Sequence, residues 1–491
     1  MGNTFEIQTV DPSTLLVDVN VRTDLRLNPE FVGSIKEHGV LVPIVAVKTA
    51  DGLRVRMGHR RTAAAIEAGR DSVPVVITDS EAEGDAAEID RLLTQHAENH
   101  HRAGFSVVDD ANVAKQLSLM GLNASQIAKR TNTKKADVET ALKVTGSELA
   151  FKATERYDLT LDQAAVLAEF EHDTETVTAL VAAATTGQFN HVAQRARNDR
   201  AEAEAKAPVI AALTEAGIEV VARPGYDSAS KMLDRLRTTD GEMISVETHA
   251  KCAGHAAFLE EETIYVDAEG TPLPTNQWGE VEFGDNVTDD EAEERYQAAT
   301  TISQWAPSYV CTDWKANGHR DRYDYGSNKP TAAEKTDAER EADKKARALV
   351  IENNKAWKAA RQVRSEWVRT FLTRKTPPAN IGGFLAIALT RDADLVADVK
   401  GNGVTAEWFG ADAATYGRST DLAKTAEAAN DKRAMVIALG TVLGGYEARA
   451  DDKAWRENGD HSSTGRYLRF LAANGYVLAD VETFAASKKT A

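Results

Sequence analysis

Between Leu53 and Gly69 an alternating strand runs straight into a helix, and this junction constrains the N-terminal fold more than any other stretch. Leu53, Val55 and Met57 alternate with Arg54 and Arg56, the period-two pattern of a half-buried strand. Gly58-His59-Arg60-Arg61-Thr62-Ala63-Ala64-Ala65-Ile66-Glu67-Ala68 then reads as a short alanine-rich helix closed by Gly69. Arg60 and Arg61 fall in its first turn, where unpaired backbone N–H groups and the positive end of the dipole disfavour cations. A bound anion relieves that conflict. Gly58, lacking a Cβ, admits a phosphate close to the backbone, and two guanidiniums can close on it. Two solvated arginines on an ordinary junction are the alternative, because one glycine followed by basic residues is a weak motif.

The 491 residues carry a formal net charge of −18, with 42% hydrophobic and 27% charged residues. By the length prior this is about three or four domains. The acidity argues against uniform adhesion to nucleic acid or to an anionic membrane, so any DNA contact needs a local basic patch. Two cysteines, Cys252 and Cys311, cannot make a disulfide framework in a chain this long, which fits a reducing compartment. The first residues show neither a basic-then-apolar leader nor a myristoylation signal. The most apolar stretches, Ile381 to Leu389 and Ala434 to Leu443, fall short of the roughly 20 residues a membrane helix needs. A cytoplasmic, multidomain α+β protein with no membrane partner is expected.

Residues 1–105 read as a small mixed α/β domain. Asn28 caps a helix with Pro29 in its first position and Gly39 at its end, and Asp51-Gly52 marks a hairpin between two strands. Val73 to Ile77 supplies a further strand, and Asn20-Val21-Arg22 adds an arginine ahead of the first helix. A helix from Glu83 to His96 leads to Glu98-Asn99-His100-His101-Arg102, where Glu98 and Asn99 can hold a hard cation and Arg102 a phosphate. A polar helix terminus is the simpler account of that cluster.

Residues 106–200 are helical, and the layout from Val107 to Val144 is that of a helix-turn-helix. Ser125 can cap a helix through Gln126 to Arg130, Thr131-Asn132-Thr133 makes the turn, and Lys134 opens the second helix. Lys129, Arg130, Lys134, Lys135 and Lys143 outnumber Asp137 and Glu139, which is the local patch that the whole chain lacks. Ser125, Gln126, Lys129, Arg130, Thr133, Lys134 and Lys135 are the candidate DNA contacts; a structural helical hairpin with solvated lysines is the alternative.

After an alanine-glutamate-lysine linker at Ala201 to Ala207, residues 208–330 read as a small α/β domain. Strands are expected at Ile218 to Val221, Met243 to Val246, Thr263 to Val266 and Tyr309 to Cys311, with an acidic loop from Asp285 to Glu294. Cys252 with His255 and Cys311 with His319 match the ligand count and chemistry of a closed tetrahedral zinc site, although the second spacing is long and His249 competes as a ligand. Residues 331–491 form a long charged helix with a stripe of Leu349, Ala356, Ala360, Val363, Trp367 and Phe371, then a helical region with no catalytic constellation.

With these motifs in order, residues 7–200 resemble the ParB family of partition proteins. The resemblance is carried by Asn20-Val21-Arg22, Ser34-Ile35-Lys36-Glu37-His38-Gly39-Val40 with Pro43-Ile44, Gly58-His59-Arg60-Arg61-Thr62-Ala63-Ala64, Val73-Pro74-Val75, Glu98-Asn99-His100-His101-Arg102, and Gln126-Ile127-Ala128-Lys129-Arg130. It implies an N-terminal ParB/sulfiredoxin-like domain that binds CTP with magnesium, a helix-turn-helix that reads a palindromic site in double-stranded DNA, a homodimer, and a ParA-type ATPase as partner. By position, Arg22, Gly58, His59, Arg60, Arg61, Ala63, Asn99 and Arg102 would line the nucleotide, Asn99 would meet magnesium, and Glu98 would support hydrolysis. His59 stands where the family usually has Glu, which bears on nucleotide preference and hydrolysis. The C-terminal part resembles the long tails of ParB-like proteins of actinobacterial plasmids and phages. Two alternatives share these motifs: a metal-dependent nuclease using His59, Glu98, His100 and His101, and a helix-turn-helix transcriptional regulator. Sulfiredoxin chemistry needs a cysteine beside the Gly-His-Arg motif, and none stands there.

Overall fold

The computed structural model describes residues 6–17, 27–78, 89, 92–93, 96, 107–225, 228–275, 281–282, 288, 291, 295, 299–323, 336–392, 394–395, 399–411, 420–457 and 462–487. The chain divides into two compact units, Met1–Phe189 and Asn190–Ala491.

Unit 1 opens with a four-stranded sheet. Strand β1 (Glu6–Val10) leads through an Asp11-capped turn to helix α1 (Pro29–His38), where Asn28 Oδ1 accepts from the Phe31 amide at 2.8 Å and Gly39 takes φ 70°. Strands β2 (Ile44–Thr49) and β3 (Gly52–Met57) form the Asp51-Gly52 hairpin, helix α2 (His59–Glu67) follows at once, and β4 (Val73–Thr78) completes the sheet. The order is β1-β4-β2-β3, with β4 antiparallel to β1 and parallel to β2. Only a crossover places β4 between them, and the sequence-local hairpin carries no sign of it. Ile44, Val55 and Val75 are fully buried in the core below α1 and α2, each such side chain contributing about 1.5–3 kcal/mol.

A helical half completes the unit: α3 (Val107–Leu119), α4 (Ala124–Thr131), α5 (Lys135–Gly146), α6 (Glu148–Tyr157), α7 (Leu161–Glu169) and α8 (Thr174–Ala184). Leu117 and Ile127, 0% and 1% exposed, join α3 to α4, and Val138 and Ala141 bring in α5. The expected cap Ser125 is instead the second residue of α4. Asn123 Oδ1 accepts from the Gln126 amide at 3.0 Å while Gln126 Oε1 accepts from the Asn123 amide at 2.9 Å, a reciprocal box that Ser125 cannot make.

Unit 2 begins in α9 (Phe189–Glu215), a 27-residue helix that absorbs the expected linker. Strong helix formers, a Glu202–Lys206 pair one turn apart, and docking explain its continuity. Arg195 grips Glu352 with two guanidinium nitrogens, and Lys355 reaches both Asp199 and Glu202 at 3.1 Å. A small β region follows: β5 (Glu219–Val220), β6 (Lys231–Met232), β7 (Leu236–Arg237), a short helix α10 (Val246–His249), the long hairpin β8 (His255–Val266) and β9 (Thr300–Cys311), and β10 (Arg320–Asp321). The order is β5-β8-β9-β6 in one sheet and β10-β7 in another. No strand forms at Met243 to Val246, because Ser245 and Thr248 form a capping box that starts α10 there. Most of the expected acidic loop lies outside the described residues.

The remainder is a helical bundle built on α11 (Asp337–Phe371), with α12 (Ile381–Arg391), α13 (Val399–Phe409), α14 (Thr420–Glu427), α15 (Asp431–Arg449), α16 (Ser463–Ala473) and α17 (Asp480–Ala486). Trp357, Arg364 and Val368 of α11 are fully buried, while Leu349 of the expected stripe is 60% exposed. Among the described residues no helix is long and apolar enough to cross a membrane.

Candidate functional site

Three groups of residues carry chemistry. At the β3–α2 junction Gly58 takes φ 102°, a conformation that side-chain-bearing residues rarely adopt, and caps α2 without a side-chain hydrogen bond. Thr62 is buried and returns to the Gly58 carbonyl through its amide at 2.9 Å and its hydroxyl at 3.2 Å, fixing the turn. The two arginines part company. Arg61 folds back over Gly58 and donates to the carbonyls of Val42 and Pro43, the latter at 2.7 Å, so it braces the loop before β2. Arg60 lies over the Phe31 ring, 5.1 Å from guanidinium carbon to centroid, and its Nε is buried with no hydrogen-bond partner among the described residues. His59 is 8% exposed and Ala63 half-buried. Arg22, Glu98, Asn99 and Arg102 lie outside the described residues.

On α4 and α5 the expected basic residues sit on the surface. Ser125, Gln126, Lys129, Arg130, Lys134 and Lys135 are exposed and Thr133 half-buried. Asn132, with φ 56° and ψ 39°, makes the left-handed turn between the helices, and Thr131 and Thr133 join hydroxyls across it at 2.8 Å. Within the chain Gln126 is engaged in its capping box, Thr133 with the Thr131 hydroxyl, and Lys135 with Glu139 at 3.1 Å. Lys134 stands at the very start of α5, whose own cap it does not supply.

In unit 2 a third cluster forms. Cys252, Cys311 and His319 come together with His249, one donor atom from each lying within 4.8 Å of the others. His255, expected in that set, stands behind His249 instead, with the two Nδ1 atoms 2.8 Å apart and its ring stacked on Tyr309. The spacing explains the substitution: His249 precedes Cys252 by the same interval by which His255 follows it. What separates them is that α10 turns His249 inward while β8 begins at His255 and carries it along the sheet. Burial and the neighbouring imidazoles of His255 and His319 push the His249 pKa down to about 4, so its ring is neutral at neutral pH. Burial, then the adjacent Cys252, pushes the Cys311 thiol up to about 11. Asn317, not foreseen from the sequence, donates to Cys311 Sγ at 3.6 Å.

A mixed four-stranded sheet whose glycine-capped basic helix follows a hairpin defines the N-terminal region as a small α/β domain, and residues 3–89 match the ParB N-terminal domain. The chain is ParB-like there. It is 32% identical over 143 residues to the chromosome-partitioning protein Spo0J of Thermus thermophilus, covering 29% of this chain and 51% of that protein. Similar solved structures include the C-terminally truncated chromosome-partitioning protein ParB from Caulobacter crescentus complexed to the centromeric parS site, at 19% identity and a TM-score of 0.26 over 37% of this chain and 92% of that one. Another is that protein complexed with CTP-gamma-S, at 22% identity and a TM-score of 0.17 over 36% and 97%. The chain spans about half, or less, of the length of the curated relatives it matches.

Proposed function

We propose that this chain is a partition-type DNA-binding protein in which CTP with magnesium, held at the Gly58 junction, governs a helix-turn-helix that reads a specific duplex site. The observation that carries this reading is the left-handed Gly58 opening α2 without a side-chain cap hydrogen bond, beside an Arg60 whose Nε has no hydrogen-bond partner among the described residues, inside the region that matches the ParB N-terminal domain. N–H groups without a side-chain cap, the dipole and a guanidinium suit a polyphosphate. CTP in particular follows from the family resemblance, in which Arg22, Asn99 and Arg102 complete the nucleotide site, Asn99 meets magnesium and Glu98 supports hydrolysis. Arg61 supports the site indirectly, by holding the loop at Val42 and Pro43. A homodimer closed around DNA and a ParA-type ATPase partner belong to the same reading.

Labelled CTP titrated onto the full chain with magnesium tests the nucleotide half. Arg60→Ala should weaken binding about 10- to 100-fold, the equivalent of one lost charge-assisted contact of about 1.5–3 kcal/mol. Unchanged CTP affinity in that variant refutes the assignment. For the DNA half, Lys134→Ala with Lys135→Ala should flatten the plot of log binding constant against log salt by about one per lysine. A slope equal to that of the parent chain removes the start of α5 from the DNA interface.

A further inference from the structure

We infer that His249, Cys252, Cys311 and His319 form a closed tetrahedral zinc site, with His255 as the positioning residue behind His249 rather than a ligand. Zinc bonds of about 2.0–2.3 Å place tetrahedral ligands roughly 3.3–3.8 Å apart. Cys252 Sγ and His319 Nε2 already lie at 3.6 Å, and all four donors fall within 4.8 Å of one another, so small side-chain rotations complete the coordination shell.

The strongest sign of a ligand is His249. It is 1% exposed; its Nδ1 faces His255 and its Nε2 is buried with no hydrogen-bond partner among the described residues. A buried imidazole nitrogen left unpaired forfeits its hydration without replacement. If Nδ1–H donates to His255, the Nε2 lone pair is free for a metal, and the partner on the far nitrogen fixes tautomer and ring orientation as the outer partners of metal-bound histidines do. Two thiolates and two neutral imidazoles also leave zinc with no net charge, which suits a partly buried site. Four protein ligands leave no open position, so the site is structural.

The surrounding β region needs such a fastener. Its apolar clusters are small, Leu233, Leu236, Ile244 and Trp314 packing about Cys311 in one, and Ala256, Phe258 and Val310 in the other. Strands β6, β7 and β10 have two residues each. The four ligands come from the end of α10, the turn after it, the end of β9 and the loop before β10. One ion therefore ties together segments that a core of this size holds poorly, and its binding energy becomes folding energy. Gly254 keeps the turn close to the metal: a Cβ there would lie 2.8 Å from Cys311 Sγ.

Elemental analysis of the full chain, purified without chelator, should find about one zinc per chain, and cobalt exchange should give the visible thiolate-to-cobalt bands of a tetrahedral site. His249→Ala and Cys311→Ser should each lose the metal. His255→Ala should still take one equivalent but bind it about 10- to 100-fold more weakly. Wild-type protein that holds no zinc, or another metal in its place, overturns the proposal even if a variant fails to fold. Zinc retained by His249→Ala and lost by His255→Ala overturns the assignment of ligand and positioning roles.

Discussion

Arg364→Ala should destabilise the C-terminal bundle by about 3–5 kcal/mol, because it leaves buried Glu482 without a cation and strips Glu447 of its main partner. Arg364 is 0% exposed and lies above the Trp357 ring. Its Nε and one terminal nitrogen hold the two oxygens of Glu447 at 2.7 and 2.8 Å, and the other terminal nitrogen holds Glu482. Tyr467 donates to Glu447 at 2.8 Å and Tyr476 to Glu482 at 3.0 Å, so nearly every lone pair in the cluster is used. Arg361 lies 3.4 Å from Glu447 and balances the second negative charge. Deleting the central cation leaves Glu482 with no cation among its described contacts. Urea unfolding followed by tryptophan fluorescence measures the loss. A variant combining Arg364→Met with Glu447→Gln and Glu482→Gln should regain most of it, since a complete apolar or neutral replacement removes the uncompensated charge. A single variant as stable as the parent would falsify the central place given to this guanidinium.

The second large effect lies where α13 and α15 cross. A Cβ added at Gly444 would sit 2.1 Å from Thr405 Oγ1 and 2.7 Å from the Gly401 carbonyl oxygen; one at Gly401 would sit 2.8 Å from Gly445 Cα. Thr405 cannot simply swing away, being fully buried and donating to the Gly401 carbonyl at 2.8 Å. The two helices approach backbone to backbone, which only glycine permits. Gly444→Val should therefore cost about 3 kcal/mol or more, beyond ordinary overpacking, and force the helices apart. Gly403→Ala, with open space around the added carbon, is the control and should change little. Thermal melts of the two variants read the contrast directly; equal melting points would show that the crossing yields.

Local signals were legible in the sequence, and long-range ones were not. Asn28, Pro29 and Gly39 delimit α1 because caps act within a turn of the residue that makes them, and Asp51-Gly52 sets the hairpin for the same reason. The central position of β4 depends on pairings that no short window contains. The metal cluster was half legible: composition supplied the thiols and imidazoles, but equal spacing about Cys252 could not rank His249 against His255 until α10 had turned one inward. On the charged helix α11 Arg364 is fully buried while Leu349 of the apolar stripe is 60% exposed, a contrast that residue type does not reveal because Glu447 and Glu482 stand 83 and 118 residues further on than Arg364. The sequence presents the arginine pair at α2 as one clamp, yet Arg61 is taken by backbone carbonyls across the loop, a partner that residue type does not reveal.

The reach of that Arg364 cluster has a bearing on synthesis. A ribosome releases α11 long before it releases Glu482, so the growing chain exposes a guanidinium and an indole that belong in the interior, with their partners Glu447, Asp451 and Glu482 still untranslated. Completion of the bundle must therefore await α17, the helix that carries Glu482.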